Sequence, residues 1–353
     1  MALPTMQEAV VPLLAPPCPA DVIGADGSPK LGVFRGTPQT VRLEAWASPL
    51  ARLLRQKRWQ YVAVVGSDLI AAVAVAHLGY VGLSFVVVWD RRERRWYEAE
   101  ALSPLALGIR ADGPPADAFF GYQGARGEVT MRSAAGERLV SANFRGDFPG
   151  GAEAVQLELE LKSPGHAFEP LTCVSKLRPR GLNVTHKAAG LQVRGELRLG
   201  TKVLAIEPDR HTALLDWSRG FPPYRTAWNW AIGAGRAAGG ARIGFNLCAG
   251  FNDAVETENV LWLDGQLHRL GPVEFDVPSV DSKAPWTIRS RDAAVNLRFE
   301  PEATRAADEN FLLVRSRYRE PVGAFTGYLP GPGGTPIEID AVPGVAEDHL
   351  ARW

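Results

Sequence analysis

Apolar and polar residues alternate along much of the chain, which is the pattern of strands that bury one face. The alternation is regular over residues 155–162, 191–199 and 295–300. Turn signals separate such runs, as at Asp264-Gly265, where glycine tolerates the positive φ of a tight hairpin. Residues 91–95 are charged and predict a solvated hairpin tip.

Helical periodicity is confined to two short segments, residues 48–55 and the last residues from Val345 onward. Many short strands with few helices are typical of antiparallel barrels or sandwiches. We therefore predict a mostly β fold of two antiparallel barrel or sheet units packed together. The predicted division is an N-terminal surface arm (1–30), a first unit (31–250) and a second unit with a C-terminal helix (251–353).

The uncharged run from Leu69 to Trp89 is long enough to cross a membrane as a helix. Gly79 and Gly82 interrupt its centre, and β-branched residues flank them. This pattern favours two buried strands joined by a tight turn. Basic residues on both sides leave no charge asymmetry to orient a span. We predict no integral membrane span.

Charge and cysteine content narrow the function classes. Lys plus Arg and Asp plus Glu both total 39, so the chain lacks the basic surplus of a nucleic-acid binder. Cys18, Cys173 and Cys248 are too few and too far apart for a disulfide framework or a structural zinc site. The first 20 residues lack the basic start of a signal peptide. These features predict a cytoplasmic protein.

Residues 233–238 match the dinucleotide-binding pattern G-x-G-x-x-A. That motif needs a helix to open at the glycine loop, because the helix N-terminus holds the pyrophosphate. Here Gly239 and Gly240 follow at once, and then another strand-like segment. We predict a hairpin and no cofactor.

The segment 216–230 is the most informative for a ligand site. On a strand, Trp228 and Trp230 share one face, where they either line an apolar pocket or simply fill the barrel. Tyr224, Asn229 and Asn246 are candidate polar anchors for a ligand.

Four residues are candidate acids or bases: Asp216, His186, Glu256 and Glu258. In an extended chain Glu256 and Glu258 project to the same face, where carboxylates can share a proton or a cation. An acidic surface loop is the simpler interpretation, and the absence of a nearby histidine argues against a transition-metal site, so no metal is predicted. His349 follows two carboxylates in sequence, Glu347 and Asp348, which would raise its pKa if they approach the ring.

Several short motifs together resemble the family catalogued as domain of unknown function 2804, over roughly residues 20–353. The segments that carry this resemblance are residues 57–62, 77–82, 213–220, 223–230, 257–259 and 347–349. The family label implies no activity.

A second resemblance is to the carotenoid hydratase-like proteins, which implies two lipocalin-like barrel units around an apolar pocket. Asp216 would occupy their Asp-His-Glu motif, and Trp228 and Trp230 their Trp-Asp-Trp motif. Trp217 and Ser218 replace the His and Glu of the first motif, and Asn229 replaces the Asp of the second. Because alkene hydration needs a strong acid, these departures weaken the implied reaction more than the implied fold.

Together these observations predict a calycin-like double barrel that binds a lipid-like or isoprenoid-like apolar molecule in its interior. The alternative is an enzyme acting on such a molecule, an isomerase, hydratase or cyclase, and the third hypothesis is a structural protein. A buried carboxylate or imidazole with a shifted pKa in the pocket would favour the enzyme. The sequence predicts neither the ligand nor the oligomeric state.

Overall fold

The structure is a computed structural model that describes residues 14–146, 148, 154–165, 167–252, 257–278, 283–311 and 314–353. Its regular secondary structure is almost entirely antiparallel strands, which form two curled sheets of 14 and nine strands. One sheet forms a near-barrel and the other a half-barrel, which confirms the predicted double-barrel fold class.

The first sheet contains β1 to β14. Its main path runs β5-β4-β3-β2-β14-β12-β10-β9-β8-β7-β6, while β1 pairs with β11, and both β11 and β13 pair with β12. The strands are β1 Gly32–Arg35, β2 Lys57–Gly66, β3 Leu69–His77, β4 Val81–Asp90, β5 Arg95–Pro104, β6 Ile109–Asp112, β7 Phe119–Gly124, β8 Gly127–Ala134, β9 Glu137–Arg145, β10 Ala154–Lys162, β11 Leu171–Leu177, β12 Gly181–Leu199, β13 Lys202–Ile206 and β14 His211–Phe221.

The second sheet contains β15 to β23 in the order β18-β17-β16-β15-β23-β22-β21-β20-β19. The strands are β15 Arg225–Arg236, β16 Arg242–Ala249, β17 Val260–Leu263, β18 Gln266–Arg269, β19 Val273–Asp276, β20 Trp286–Ser290, β21 Asn296–Phe311, β22 Val314–Pro330 and β23 Pro336–Arg352. The α-helices are α1 Leu43–Trp46 and α2 Pro49–Arg55, and short 3-10 turns lie at Pro115–Asp117 and Pro332–Gly334.

Several local predictions are confirmed. The uncharged run is the hairpin of β3 and β4, and the glycine-rich segment 233–240 belongs to the β15–β16 hairpin. Asp264 and Gly265 form the β17–β18 turn with φ of 47° and 93°, the conformation for which that dipeptide is suited. Ser48 caps α2 by accepting a hydrogen bond from the backbone N–H of Ala51. No helix in the described part of the chain is long and apolar enough to span a membrane.

The predicted helix from Val345 onward is wrong, because these residues belong to β23. Two ladders hold that strand, one to β22 and one to β15, so long-range pairing overrides the local helical preference.

The described part of the N-terminal arm, from residue 14, is also more than a surface segment. Ala15, Val22 and Ile23 are buried, and Leu14 forms a bridge to His268 in the second sheet. Apolar side chains spaced irregularly among prolines can still fill gaps in a core, which a search for periodicity does not detect.

The chain leaves the first sheet at Phe221 and enters the second at Arg225. The predicted unit boundary near residue 250 therefore does not coincide with the change of sheet. The division into units at 31–250 and 251–353 stays a prediction about domains.

The two sheets pack closely where β12 meets β16. A Cβ on Gly244 would lie 2.3 Å from the carbonyl oxygen of Ala189, so only glycine permits this approach. The register of β12 against β14 shifts next to that point, between Ala189 and Leu191, where Gly190 has a φ of 103°. The bulge lets β12 bend past the second sheet, and a cavity opens beside the contact.

Candidate active site

A cavity of about 550 Å³ lies between the two sheets and is lined by strands of both. Most of its wall is aromatic or aliphatic, including Trp59, Phe85, Trp228 and Trp230. Its size and apolar wall suit a small apolar molecule. Charged side chains project into the same cavity, and their arrangement determines which of them could transfer a proton to a bound molecule.

Strand register assembles the first-sheet wall as two rows of side chains. One row runs across six strands and the next runs beside it, two residues along each strand. The first row is Lys187, Asp216, Tyr61, Ala74, Phe85 and Glu100, and the second is Ser218, Trp59, Ala76, Leu83 and Leu102. Because side chains alternate between faces, one register places all of these residues on the cavity side.

The second sheet supplies two further rows. Trp230 pairs with Glu347, and Glu320 falls opposite Glu347 between the Arg319–Asp348 and Val322–Val345 pairs. In the neighbouring row, Trp228 pairs with His349, which pairs with Tyr318. The four of these six residues other than Trp228 and Trp230 are titratable, so this wall carries most of the reactive groups of the second sheet.

The Lys187 cluster consists of Lys187, Asp216 and Glu258. The Lys187 Nζ lies 3.1 Å from a carboxylate oxygen of each acid and 4.8 Å from the Trp230 ring centre. Burial works against the lysine charge, but the two carboxylates outweigh it and raise the pKa of Lys187 above its usual value. The cluster joins β12 and β14 of the first sheet to the segment before β17.

The carboxylates of this cluster have little free capacity. Asp216 also accepts hydrogen bonds from the Trp59 indole and from the Thr185 and Ser218 hydroxyls. Glu258 accepts from the amides of Asn246 and Asn252. Donors therefore engage the oxygens of both acids, which places them as counter-ions around Lys187.

Glu320 occupies a different environment. It is buried, and its nearest cation, Arg305, also pairs with Glu98 and Glu100 and stays 3.6 Å from Glu320. Burial raises the pKa of Glu320, Arg305 lowers it and the charge of Glu347 raises it again, which leaves it at about 7. Glu320 therefore keeps its proton to a higher pH than an exposed glutamate does.

Tyr61 faces this group from the first sheet. Burial, and then the charge of Glu320, hold the pKa of Tyr61 well above its usual value, so its hydroxyl keeps its proton.

Glu347 has the opposite character. Its two oxygens receive the Trp228 indole N–H and the His349 Nδ1, each at 2.8 Å. Burial raises the pKa of Glu347, but these partners and the charge of Lys187 outweigh burial and lower it below its usual value. The His349 ring stacks on Trp228 at 4.1 Å, and its Nε2 lies 3.1 Å from the Ser316 hydroxyl.

The cavity therefore holds two carboxyl groups, on adjacent strands, whose pKa values are pushed apart. Such a pair can act as a general acid and a general base at the same pH. Like charges directly opposite on neighbouring strands repel, which favours one proton between Glu320 and Glu347.

The predicted site residues divide into four groups. Asp216, Glu258, Trp228 and Trp230 line the cavity. Asn246 stands behind it, where it accepts the Trp230 indole N–H at 2.7 Å and donates to Glu258. Glu256 lies outside the described residues.

The fourth group consists of three predicted residues that lie away from the cavity lining. His186 is buried elsewhere, between Thr172 and Arg138, and burial together with the Arg138 charge lowers its pKa well below its usual value. Asn229 projects from the opposite face of β15 to Asp348, and Tyr224 is half exposed. For Asn229 the cause is strand alternation, since its neighbours Trp228 and Trp230 face the cavity.

Sequence reasoning missed Glu320, Lys187, Arg305 and Tyr61. An available signal was a charged residue that alternates with an aromatic one on the same strand face, as Glu320 does with Tyr318. His349 does meet a carboxylate that is close in sequence, since its Nδ1 lies 2.8 Å from Glu347.

One solved structure supports the fold, and a second aligns more weakly. Kievitone hydratase from Nectria haematococca aligns with a TM-score of 0.51 at 10% identity, covering 84% of this chain and 89% of that one. A protein provisionally described as AttH from Nitrosomonas europaea aligns with a TM-score of 0.43 at 14% identity, covering 88% and 98%. No curated protein matches the sequence significantly.

The model of the family described as domain of unknown function (DUF2804) matches residues 17–353. Each of the six segments that carry this resemblance contributes to the cavity wall. The contributing residues are Trp59 and Tyr61, Leu78 to Val81 without Gly79, Asp216 and Ser218, Trp228 and Trp230, Glu258, and Glu347 and His349. Segments far apart in sequence thus meet at one place.

Proposed function

Because the chain belongs to the DUF2804 family, whose description assigns no activity, we propose its function from the cavity: acid–base catalysis on a largely apolar small molecule. The reaction class is hydration or isomerisation of a carbon–carbon double bond, or the reverse. The observation that supports it is the pairing of Glu320, whose pKa is raised to about 7, with Glu347, whose pKa is lowered.

In the proposed reaction the carboxylic acid of Glu320 gives its proton to one alkene carbon. The π electrons form the new C–H bond, and the adjacent carbon becomes cationic. In hydration, the oxygen of a water molecule donates a lone pair to that carbon, and its surplus proton passes to Glu347. In isomerisation, Glu347 instead removes a proton from a neighbouring carbon and a new double bond forms. Glu320 regains a proton from solvent or from Glu347.

Aromatic rings around the two carboxylates support a cationic intermediate. Trp228, Trp230 and Tyr61 line the same cavity, and the face of an aromatic ring attracts positive charge. The apolar wall excludes bulk water, which strengthens the interaction of a cation with Glu347. The structural alignment with a hydratase is consistent with this chemistry, but at 10% identity it supports only the fold.

The test is isotope incorporation with defined probes. Wild-type protein is incubated with a panel of isoprenoid alkenes and alcohols in ¹⁸O-labelled water or in D₂O, and products are analysed by mass spectrometry. We expect hydration to insert one ¹⁸O, and isomerisation to insert deuterium without ¹⁸O. Glu320→Gln should lower turnover by about a hundredfold or more, while the exposed Glu338→Gln control stays at the wild-type rate.

Activity should fall as the pH rises above about 7, where Glu320 loses its proton. Equal turnover by wild-type and Glu320→Gln proteins would contradict the role of this acid.

The second candidate is a carrier that binds an apolar molecule without changing it, which the cavity volume and apolar wall support on their own. Extraction of natively purified protein and mass spectrometry separate the two. A stoichiometric compound, lost in a Trp228→Ala/Trp230→Ala variant and unchanged by incubation in labelled water, would favour the carrier. A purely structural role would leave both experiments without a signal.

A further inference from the structure

Large hydrophobic side chains are exposed mainly at one end of the cavity. Of the 11 such residues among those the structure describes, seven lie on three neighbouring segments: Leu50, Leu53, Leu54, Leu102, Leu105, Leu107 and Tyr224. Scattered exposed leucines are ordinary, but a contiguous group is typical of an interaction surface. We call these seven residues the leucine patch.

The turn from Leu78 to Val81 connects the three segments. A Cβ on Gly79 would lie 2.9 Å from the carbonyl oxygen of Leu53, so the end of α2 touches the turn. The Leu105 N–H donates to the carbonyl of Tyr80 at 2.8 Å, and Tyr224 lies close enough to Tyr80 to affect its pKa.

The same turn forms part of the cavity wall. Leu78, Tyr80 and Val81 line the cavity, and so does Leu102 of the patch. The leucine patch and the apolar interior are therefore continuous across a single turn of chain.

Helix α2 gives the patch its amphipathic character. Leu50, Leu53 and Leu54 are spaced i, i+3 and i+4, so they share one face, and they are exposed by 64%, 64% and 53%. No residue of this helix is buried. These leucines are not explained by packing in the hydrophobic core, because their helix face is exposed. A binding partner for that face would explain them.

Charge around the helix indicates the kind of partner. Residues 48–60 contain no acidic residue. Of their four basic residues, Arg52 and Arg55 lie on the helix, whereas Lys57 is buried and Arg58 pairs with Asp112. Arg52 and Arg55 lie in the last turn of α2, beside its exposed leucines. A basic amphipathic surface is attracted to anionic lipid headgroups, and its apolar side chains enter the headgroup–acyl boundary.

We propose that the leucine patch docks on a membrane surface that contains anionic lipids, and that apolar molecules pass between the bilayer and the cavity beside the turn at residues 78–81. A ligand of this kind partitions into lipid, so a cavity that opens toward the bilayer avoids its transfer through water. The proposal does not depend on any reaction in the cavity, because membrane binding is measured without turnover.

The experiment is co-sedimentation of the full chain with vesicles. One set is pure phosphatidylcholine, and the other contains about one third phosphatidylserine. We expect binding to the anionic vesicles to exceed binding to the neutral ones by about tenfold and to weaken with added salt. The Leu50→Ser/Leu53→Ser/Leu54→Ser variant should lose about tenfold or more of that binding.

The matched control is Leu139→Ser/Val203→Ser, which removes equally exposed apolar side chains away from the patch and should bind like wild type. Arg52→Gln/Arg55→Gln should reduce the preference for anionic vesicles. Circular dichroism and thermal melting verify that each variant is folded.

Three results would overturn the proposal: wild-type protein that stays in the supernatant with both vesicle types, a leucine variant that binds like wild type, or a control variant that loses binding equally. If the wild-type protein dimerises but does not bind vesicles, and the leucine variant is monomeric, the patch is a contact between copies of the chain.

Discussion

The cavity contains two buried groups of charge that differ in how they are compensated. In the Lys187 cluster, one ammonium group lies 3.1 Å from two carboxylates, and further donors occupy their remaining oxygens. In the Glu320–Glu347 pair, two carboxylates fall opposite each other, and Arg305, the cation near Glu320, is shared with Glu98 and Glu100.

This difference indicates that the Lys187 cluster stabilises the structure, whereas the Glu320–Glu347 pair is suited to proton transfer. A buried charge with good partners can hold a structure together, but it has no proton to exchange near neutral pH. A carboxyl group with too little compensation keeps its proton to higher pH and can transfer it. Residues of similar burial in one cavity therefore have different consequences when they are replaced.

The largest effect is expected from Lys187→Met. The substitution leaves Asp216 and Glu258 buried and without a cation, which should lower the free energy of unfolding by about 3–5 kcal/mol. Urea denaturation at pH 7 measures it. Lys162→Met removes a lysine from exposed ion pairs and should cost far less, because solvent screens such pairs. If both variants lowered the free energy of unfolding by the same amount, the Lys187 cluster would contribute no more to stability than a surface ion pair.

The next effect is on the pH dependence of stability, and it has opposite signs for Glu320 and Glu347. The pKa of Glu320 is raised from 4.5 to about 7 in the folded protein, so the folded state binds the proton more tightly than the unfolded chain. Stability from this group is thus lost as the pH rises through that window, by on the order of 3 kcal/mol. Glu320→Gln should remove the loss and be more stable than wild type at pH 8.

Glu347→Gln should do the reverse. The pKa of Glu347 is lowered in the folded protein, so its contribution is present above its unfolded pKa and is lost as the pH falls. The variant should be less stable than wild type at pH 8. Thermal melts of both variants at pH 5 and pH 8 give the comparison, and the same sign for both at pH 8 would show that the two carboxyls are equivalent.

The smallest effect is expected from Trp228→Phe. It keeps an aromatic ring against His349 but removes the N–H that donates to Glu347 at 2.8 Å. We expect a cost of about 1 kcal/mol at pH 7, where Glu347 is ionised, and a smaller one in acid. Trp96→Phe is the matched control, since its indole donates to the less buried Glu98. Denaturation at neutral and acid pH measures the loss of stability in Trp228→Phe. A loss that does not change with pH would contradict a hydrogen bond from this indole to ionised Glu347.

Sequence analysis predicted what depends on neighbouring residues. Alternation predicted the strands, Asp264-Gly265 predicted a turn, and the spacing of Trp228 and Trp230 placed both on one face. It failed where distant strands decide the outcome. The segment from Val345 was assigned to a helix because its two pairing partners, β15 and β22, are invisible locally.

The acid pair shows the same limit. Glu320 and Glu347 are 27 positions apart, and only the β22–β23 register brings them opposite each other. The raised pKa of Glu320 comes from that register and from burial, neither of which a local pattern contains. Asp216 was found by its motif, but its role depends on Lys187 on the neighbouring strand.

The rows of side chains that line the first sheet also restrict how this protein can evolve. Deleting one residue within β14 would exchange the face that presents Asp216 and Ser218 for the face of Leu215 and Trp217, which are buried on the other side of the sheet. Insertions and deletions inside these strands would therefore disrupt the cavity wall, and we do not expect them to be a route by which specificity changes. Relatives that handle different molecules should differ by point substitutions in the rows and by length only in the connecting loops.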